Sequence, residues 1–203
     1  MIKAVFFDFD GVLTTDFNAT GTVCNNLCAV TPRLSAEKVT ECYGKHCRSL
    51  LLGGTFADVW NDFCACVGTE ISRDVLETAL RTAPKNEEMF ALAESLRGQF
   101  CLGIITDNTL ERMELLSKEM KLPELFDPII VSAAVHVSKH DGTTTIFDAA
   151  LKAAGCTAEE SVFIDNQQRN LATPAGMGIQ TYWHDDAKND VAALGSALRK
   201  IVG

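Results

Sequence analysis

Two acids, Asp8 and Asp10, flank Phe9 at the end of an apolar run, and Gly11 follows them in "VFFDFDGVLTTD" (residues 5–16). On a strand, residues two apart point to the same side, so the two carboxylates crowd together. Like charges that close destabilise one another unless a cation or a reacting group compensates. Three further apolar runs also end in polar residues. "FCLGIIT" (100–106) ends in Thr106 and runs into Asp107-Asn108, "PIIVS" (128–132) ends in Ser132, and "SVFID" (161–165) ends in Asp165 before Asn166. Lys139 follows the third run within a loop's reach. Several carboxylates with one Lys and one Thr suit a divalent cation and a phosphoryl group better than they suit a core. Mg²⁺ takes oxygen ligands and keeps several waters. Asp8, Asp165, Asn166 and the backbone carbonyl of Asp10 can supply such oxygens. A carboxylate such as Asp8 can attack phosphorus and form an aspartyl phosphate. Asp10 can protonate the leaving oxygen and then deprotonate water. Gly11 lets the backbone pass close to a phosphate. Thr106 and Asn108 can donate to phosphoryl oxygens, and Lys139 adds positive charge where negative charge must be held.

The elements that would place these residues follow from the apolar pattern. "KAVFFDF", "FCLGIIT", "PIIVS" and "SVFID" read as fully buried strands, with "IQTYW" (179–183) as a weaker fifth. Continuous apolar runs of this length suit a parallel sheet covered on both faces. Helical stripes lie between them: Met89, Leu92, Ala93 and Leu96 after Asn86; Leu110, Met113 and Leu116; Ile146, Phe147, Ala150, Leu151 and Ala154 before Gly155; and Val191, Leu194, Leu198 and Ile201. The alternation predicts a doubly wound α/β fold. In such a sheet the carboxyl ends of the strands form the ligand crevice, which gathers Asp8, Asp10, Thr106, Ser132 and Asp165 in one place. Residues 17–83 carry no strand signal. Val23, Leu27 and Val30 share a face; Ser35 caps a helix bearing Val39, Cys42, Tyr43, Leu50 and Leu51; Thr55 and Ser72 cap two more. That much helix is too large for a loop. The expected organisation is an α/β core of residues 1–16 and 84–203 with an inserted helical cap over 17–83.

A chain of 203 residues supports one sizeable core with a smaller insertion. The formal net charge of −9, with no basic stripe, argues against nucleic acid as a partner. No apolar run approaches the length of a membrane span, and no secretory leader is visible in "MIKAVFF". No obligate protein partner is expected. The eight cysteines (24, 28, 42, 47, 64, 66, 101 and 156) form no CxxC pair. They read as reduced thiols acting as small apolar residues, in keeping with a cytoplasmic chain.

The motifs together resemble the haloacid dehalogenase superfamily in its phosphatase branch. "DFDGVLT" (8–14) is similar to the first motif of that family, "IITDN" (104–108) to the second, Lys139 in "VSKHDG" to the third, and "VFIDNQQRN" (162–170) to the acidic fourth. Order and spacing match over residues 1–183. The resemblance implies Asp8 as nucleophile, Asp10 as acid and base, and Thr106 and Lys139 on the phosphoryl group. It also implies Mg²⁺ on Asp8, the Asp10 carbonyl, Asp165 and Asn166, with a small phosphorylated metabolite as substrate. The stretch "GGTFADVWNDFCACVG" (53–68) is similar to the cap of sugar-phosphate phosphatases and of the phosphatase domain of soluble epoxide hydrolases. The chain departs from the pattern at Asn166, where the family has a second acid. It departs again at His140-Asp141-Gly142, where the family has Pro-Asp-Pro, and this predicts a looser loop after Lys139. Two other readings compete. A 2-haloacid dehalogenase of the same fold would resemble this chain, but such enzymes lack the second acid that Asp10 provides. A degenerate, non-catalytic binding module would rest on Asn166 and the altered loop alone.

Overall fold

Each of the five apolar runs forms a strand, and all pair in parallel. The computed structural model describes residues 1–202. The strands are β1 (Ala4–Phe7), β2 (Cys101–Thr106), β3 (Ile129–Val131), β4 (Ser161–Asp165) and β5 (Gln180–Trp183), in the spatial order β3-β2-β1-β4-β5. β1 lies at the centre, with Phe7 beside Ile104 on one side and Ile164 on the other. Alternate residues of β1 feed two apolar layers. Val5 and Phe7 pack with Ile104, Met113 and Leu194; Ala4 and Phe6 pack with Ile146, Phe147 and Phe163. Burial on both faces explains why β1 reads as a continuous apolar run, and each buried Phe contributes about 1.5–3 kcal/mol. The helices α5 (Glu87–Leu96), α6 (Leu110–Glu119), α7 (Thr145–Ala154) and α8 (Val191–Val202) cover the sheet. The chain winds from β1 outward to β3 and then returns to β4 on the other side. This puts the sheet's switch point beside β1, at the carboxyl end where ligands bind in such folds.

Residues 17–83 hold four helices: α1 (Ala19–Val30), α2 (Ala36–His46), α3 (Phe56–Val67) and α4 (Arg73–Arg81). Asn18, Ser35 and Ser72 accept backbone N–H groups at the starts of α1, α2 and α4, and Thr55 forms a capping box with Asp58 at α3. The four helices share an apolar cluster of their own, including Val23, Leu27, Val39, Tyr43, Phe63 and Leu76. The two connections to the sheet run side by side. Thr14 bridges Lys85, and the Thr15 N–H donates to the Pro84 carbonyl at 2.9 Å.

Three expectations for this region need correction. The α2 helix stops at His46; Leu50 and Leu51 belong to a separate 3₁₀ turn, Arg48–Leu52, which Gly53 ends at φ +100°. That turn delivers Leu50 to the cluster without extending the helix. Val30 is exposed, because α1 ends there. Finally, the thiols are not all reduced: Cys42 and Cys66 form a disulfide between α2 and α3, leaving Cys24, Cys28, Cys47, Cys64, Cys101 and Cys156 free. A 24-residue separation gives no sequence signal of the pair; only the packing of α2 on α3 brings the two residues together. No helix among the described residues is long and apolar enough to cross a membrane.

Candidate active site

The turn after β1 sets the site. Asp8 accepts the N–H of Phe9 on Oδ1 at 2.7 Å, Asp10 is extended, and Gly11 takes φ +83°. A Cβ on Gly11 would lie 2.1 Å from Nδ2 of Asn166, so both the left-handed backbone and the close approach require glycine. Asp8, Asp10, Thr106 and Lys139 come together around a cavity of about 30 Å³, also lined by Asn18, Ala19, Asp107, Gln167 and Asn170. Four of these residues, Asn18, Ala19, Asp107 and Gln167, continue into an outer chamber of about 150 Å³ with Phe17, Thr20, Leu51, His140 and Arg169. The first turn of α1 therefore opens on the site.

Lys139 is the hub. Its Nζ lies 2.7 Å from Oδ1 of Asp8 and 2.7 Å from Oδ2 of Asp165, and all three side chains are buried. Burial opposes the charge on Lys139, but Asp165 and Asp8 outweigh it and hold the ammonium above its ordinary range. Burial, reinforced by the charge of Asp165, pushes the Asp8 carboxyl well above the usual carboxylate range, with Lys139 pulling the other way. The loop expected to be looser after Lys139 is anchored at its start. Asp107 accepts the Lys139 N–H at 2.9 Å and lies 3.5 Å from Nδ1 of His140, so it ties down the loop that lacks proline.

Asp165 and Asn166 stand behind the cavity. The Asp165 carboxylate is fully engaged: Oδ1 accepts from the N–H of Gln167 (2.7 Å), Oδ2 from Lys139, and both oxygens from the Asn170 amide. Asn166 donates to the Phe17 carbonyl at 3.1 Å, and its backbone carbonyl accepts from Trp183 at 2.8 Å. Ser132 links the end of β2 to the 3₁₀ turn Arg48–Leu52, accepting from the Asn108 N–H and donating to the Leu51 carbonyl.

Asn108, expected to reach a phosphoryl oxygen, donates to Oδ2 of Asp10 at 2.9 Å. It shares that acceptor with Arg112, a residue absent from the sequence-based site. Arg112 grips Asp10 bidentately, Nη2 to Oδ1 at 2.7 Å and Nη1 to Oδ2 at 2.9 Å, and its side chain is fully buried. A signal for it existed. Arg112 lies in the first turn of α6, where the helix dipole disfavours a cation, and four residues beyond Asn108. Asp107, Gln167 and Asn170 were also missed as site residues, since loop acids and amides carry no periodic signal.

A divalent cation is compatible with the donors present. Asn166 Oδ1 is buried with no hydrogen-bond partner, and no hydrogen-bond donor among the described residues reaches Oδ2 of Asp8. These are hard, anionic or amide oxygens of the kind Mg²⁺ takes. Among the described residues no group of three or more His, Cys, Asp or Glu converges on one point.

The sequence profile of the haloacid dehalogenase-like hydrolases matches residues 5–184, and the chain belongs to that family. Three solved structures show how widely its fold is shared. A family enzyme from Bacteroides thetaiotaomicron, in complex with magnesium and inorganic phosphate, is 19% identical with TM-score 0.75, over 92% of this chain and 96% of that one. A HAD-like hydrolase from Porphyromonas gingivalis is 21% identical with TM-score 0.71, over 98% of each chain. An L-2-haloacid dehalogenase from Xanthobacter autotrophicus with chloropropionic acid covalently bound is 16% identical with TM-score 0.66, over 98% and 88%. No curated protein sequence matches the chain. The protein is thus a hydrolase of this family with a five-stranded parallel sheet.

Proposed function

We propose that the protein is a phosphatase that hydrolyses a small phosphorylated metabolite through an aspartyl phosphate on Asp8. One observation carries this reading: a second carboxylate, Asp10, lines the same buried cavity as Asp8, Thr106 and Lys139. Displacement of halide from carbon by a carboxylate needs no such partner, whereas proton delivery to a leaving oxygen does. In the first step Asp8 attacks phosphorus, the bond to the leaving oxygen breaks, and that oxygen takes a proton from Asp10. In the second step water attacks phosphorus, Asp10 takes its proton, and the bond to Asp8 breaks, releasing phosphate. Thr106 and Lys139 hold the equatorial oxygens of the phosphoryl group. Gly11 allows close passage of the backbone at the turn. Asp165 keeps Lys139 charged and aimed at Asp8.

Asp8, the Asp10 carbonyl and Asn166 would hold Mg²⁺, with Asp165 beside them. The bound ion would supply charge neutralisation at the phosphoryl group. With Asp8, Asp10 and Asp165 against Lys139 and Arg112, the buried side chains leave a small negative excess, which a divalent cation would reverse in favour of an anionic substrate. Residues 17–83 act in this reading as the cap: the outer chamber they help to wall takes the leaving group and limits water.

The test is hydrolysis of p-nitrophenyl phosphate with and without Mg²⁺, with halide release from 2-chloropropionate measured in parallel. Metal-dependent phosphate release that disappears in Asp8→Asn supports the phosphatase. Halide release without phosphate release would establish the dehalogenase instead. Neither activity, together with no binding of Mg²⁺ or inorganic phosphate, would leave a binding module.

A further inference from the structure

We infer that Arg112 is a positioning residue for the proton-transferring carboxylate, fixing Asp10 so that its Oδ1 is the oxygen that exchanges the proton with the leaving group. The inference rests on the phosphatase reading. Three donors hold Asp10: Nη2 of Arg112 on Oδ1 (2.7 Å), and Nη1 of Arg112 with Nδ2 of Asn108 on Oδ2 (both 2.9 Å). Oδ2 is therefore doubly engaged, whereas Oδ1 accepts one bond and keeps acceptor capacity for the cavity that Asp10 lines. The fork is itself locked. Nη1 of Arg112 also donates to Oδ1 of Asn108 at 3.1 Å, closing a three-residue ring, and the guanidinium lies 5.8 Å from the Phe9 ring centroid. Planar guanidinium and carboxylate meeting edge to edge leave Asp10 almost no freedom about χ2. Effective proton transfer requires the donor held within hydrogen-bond reach of a single atom. The arrangement leaves one guanidinium N–H unsatisfied: Nε of Arg112 is buried with no hydrogen-bond partner. An apolar side chain here would leave the buried Asp10 carboxylate without its cation, so melting and kinetics must be read separately in any variant.

The experiment uses Arg112→Met and Arg112→Lys on two substrates with Mg²⁺ present. Ethyl phosphate needs a proton on its leaving oxygen; p-nitrophenyl phosphate does not. The expected result is a fall in kcat of about 10²-fold on ethyl phosphate in both variants, with KM within about twofold, and only a few-fold fall on p-nitrophenyl phosphate. The lysine variant does not rescue, because an ammonium lacks the fork. Equal losses on both substrates, an unchanged kcat, or full rescue by lysine would overturn the inference. Thermal melting is recorded for each variant, and if Arg112→Met does not fold, the lysine variant decides alone. Wild-type protein that hydrolyses neither ester would sink the phosphatase reading itself, which separates that failure from a failure of the role given to Arg112.

Discussion

Lys139 sits equally close to Asp8 and Asp165, with its Nζ 2.7 Å from an oxygen of each, and the three side chains are at most 5% exposed. One cation thus compensates two carboxylates inside the sheet's carboxyl end. Removing it leaves two acids in a low-dielectric site, and breaking a buried pair costs about 3–5 kcal/mol. Lys139→Met is expected to lose turnover and to melt far below the wild type. Adding Asp165→Asn to that variant should recover much of the stability and none of the activity. Denaturant melts of the single and double variants check this, and simple additivity would refute it.

Asp8 behaves oppositely. Its carboxyl is held above the usual range by burial and by Asp165, so the folded state favours the protonated form. The stability Asp8 can contribute is present at low pH and is lost as pH rises through the ordinary carboxylate value toward the raised one. At neutral pH the charge is therefore a liability. Asp8→Asn is expected to abolish phosphate release while keeping or raising the melting temperature at pH 7. A marked drop in melting temperature would contradict this account.

Gly11→Ala places a Cβ 2.1 Å from the Asn166 amide on a backbone at φ +83°. Left-handed strain of about 1–3 kcal/mol is expected, together with displacement of Asn166. The readout is a lower melting temperature joined to weaker Mg²⁺ binding by calorimetry. Loss of stability with unchanged Mg²⁺ affinity would place Asn166 outside the metal site.

The Cys42–Cys66 bond closes a loop of roughly two dozen residues between α2 and α3. By chain entropy such a closure is worth about 3.5 kcal/mol. Six thiols should titrate in denaturant without reductant and eight with it; eight in both would show that the chain lives reduced. Cys42→Ser should lower stability in the oxidised protein and change the reduced protein little.

Two free thiols report alkaline stability. Burial raises Cys24 from 9.0 to about 11 and Cys47 from 9.0 to about 12. The folded state holds these protons more tightly than the unfolded chain does. Their contribution is complete below pH 9 and is lost as pH climbs from there toward the raised values. Melting temperature should fall between pH 9 and 11, and fall less in Cys24→Ala/Cys47→Ala; an equal slope in that double variant would exclude the thiols as the cause.

The sequence by itself determined the sheet, because burial on both faces forces the interiors of β1, β2 and β4 to be apolar, with polar residues confined to their ends. That rule alone set Asp8, Thr106 and Asp165 at one rim of the sheet. It also determined several helix starts, since Ser35, Thr55 and Ser72 cap by local chemistry that needs no tertiary partner. The tertiary structure decided what periodicity cannot encode. Arg112 reaches Asp10 across 102 residues, Asp107 ties the loop after Lys139 across 32, and Cys42 meets Cys66 only when α2 lies on α3. Each depends on where a side chain points after packing, and one long side chain on a half-polar helix reads the same in sequence whether it reaches solvent or a buried carboxylate. The same limit held for Asn108, a residue after the right strand end whose amide donates to Asp10 and accepts from Arg112, a ring that no sequence pattern encodes.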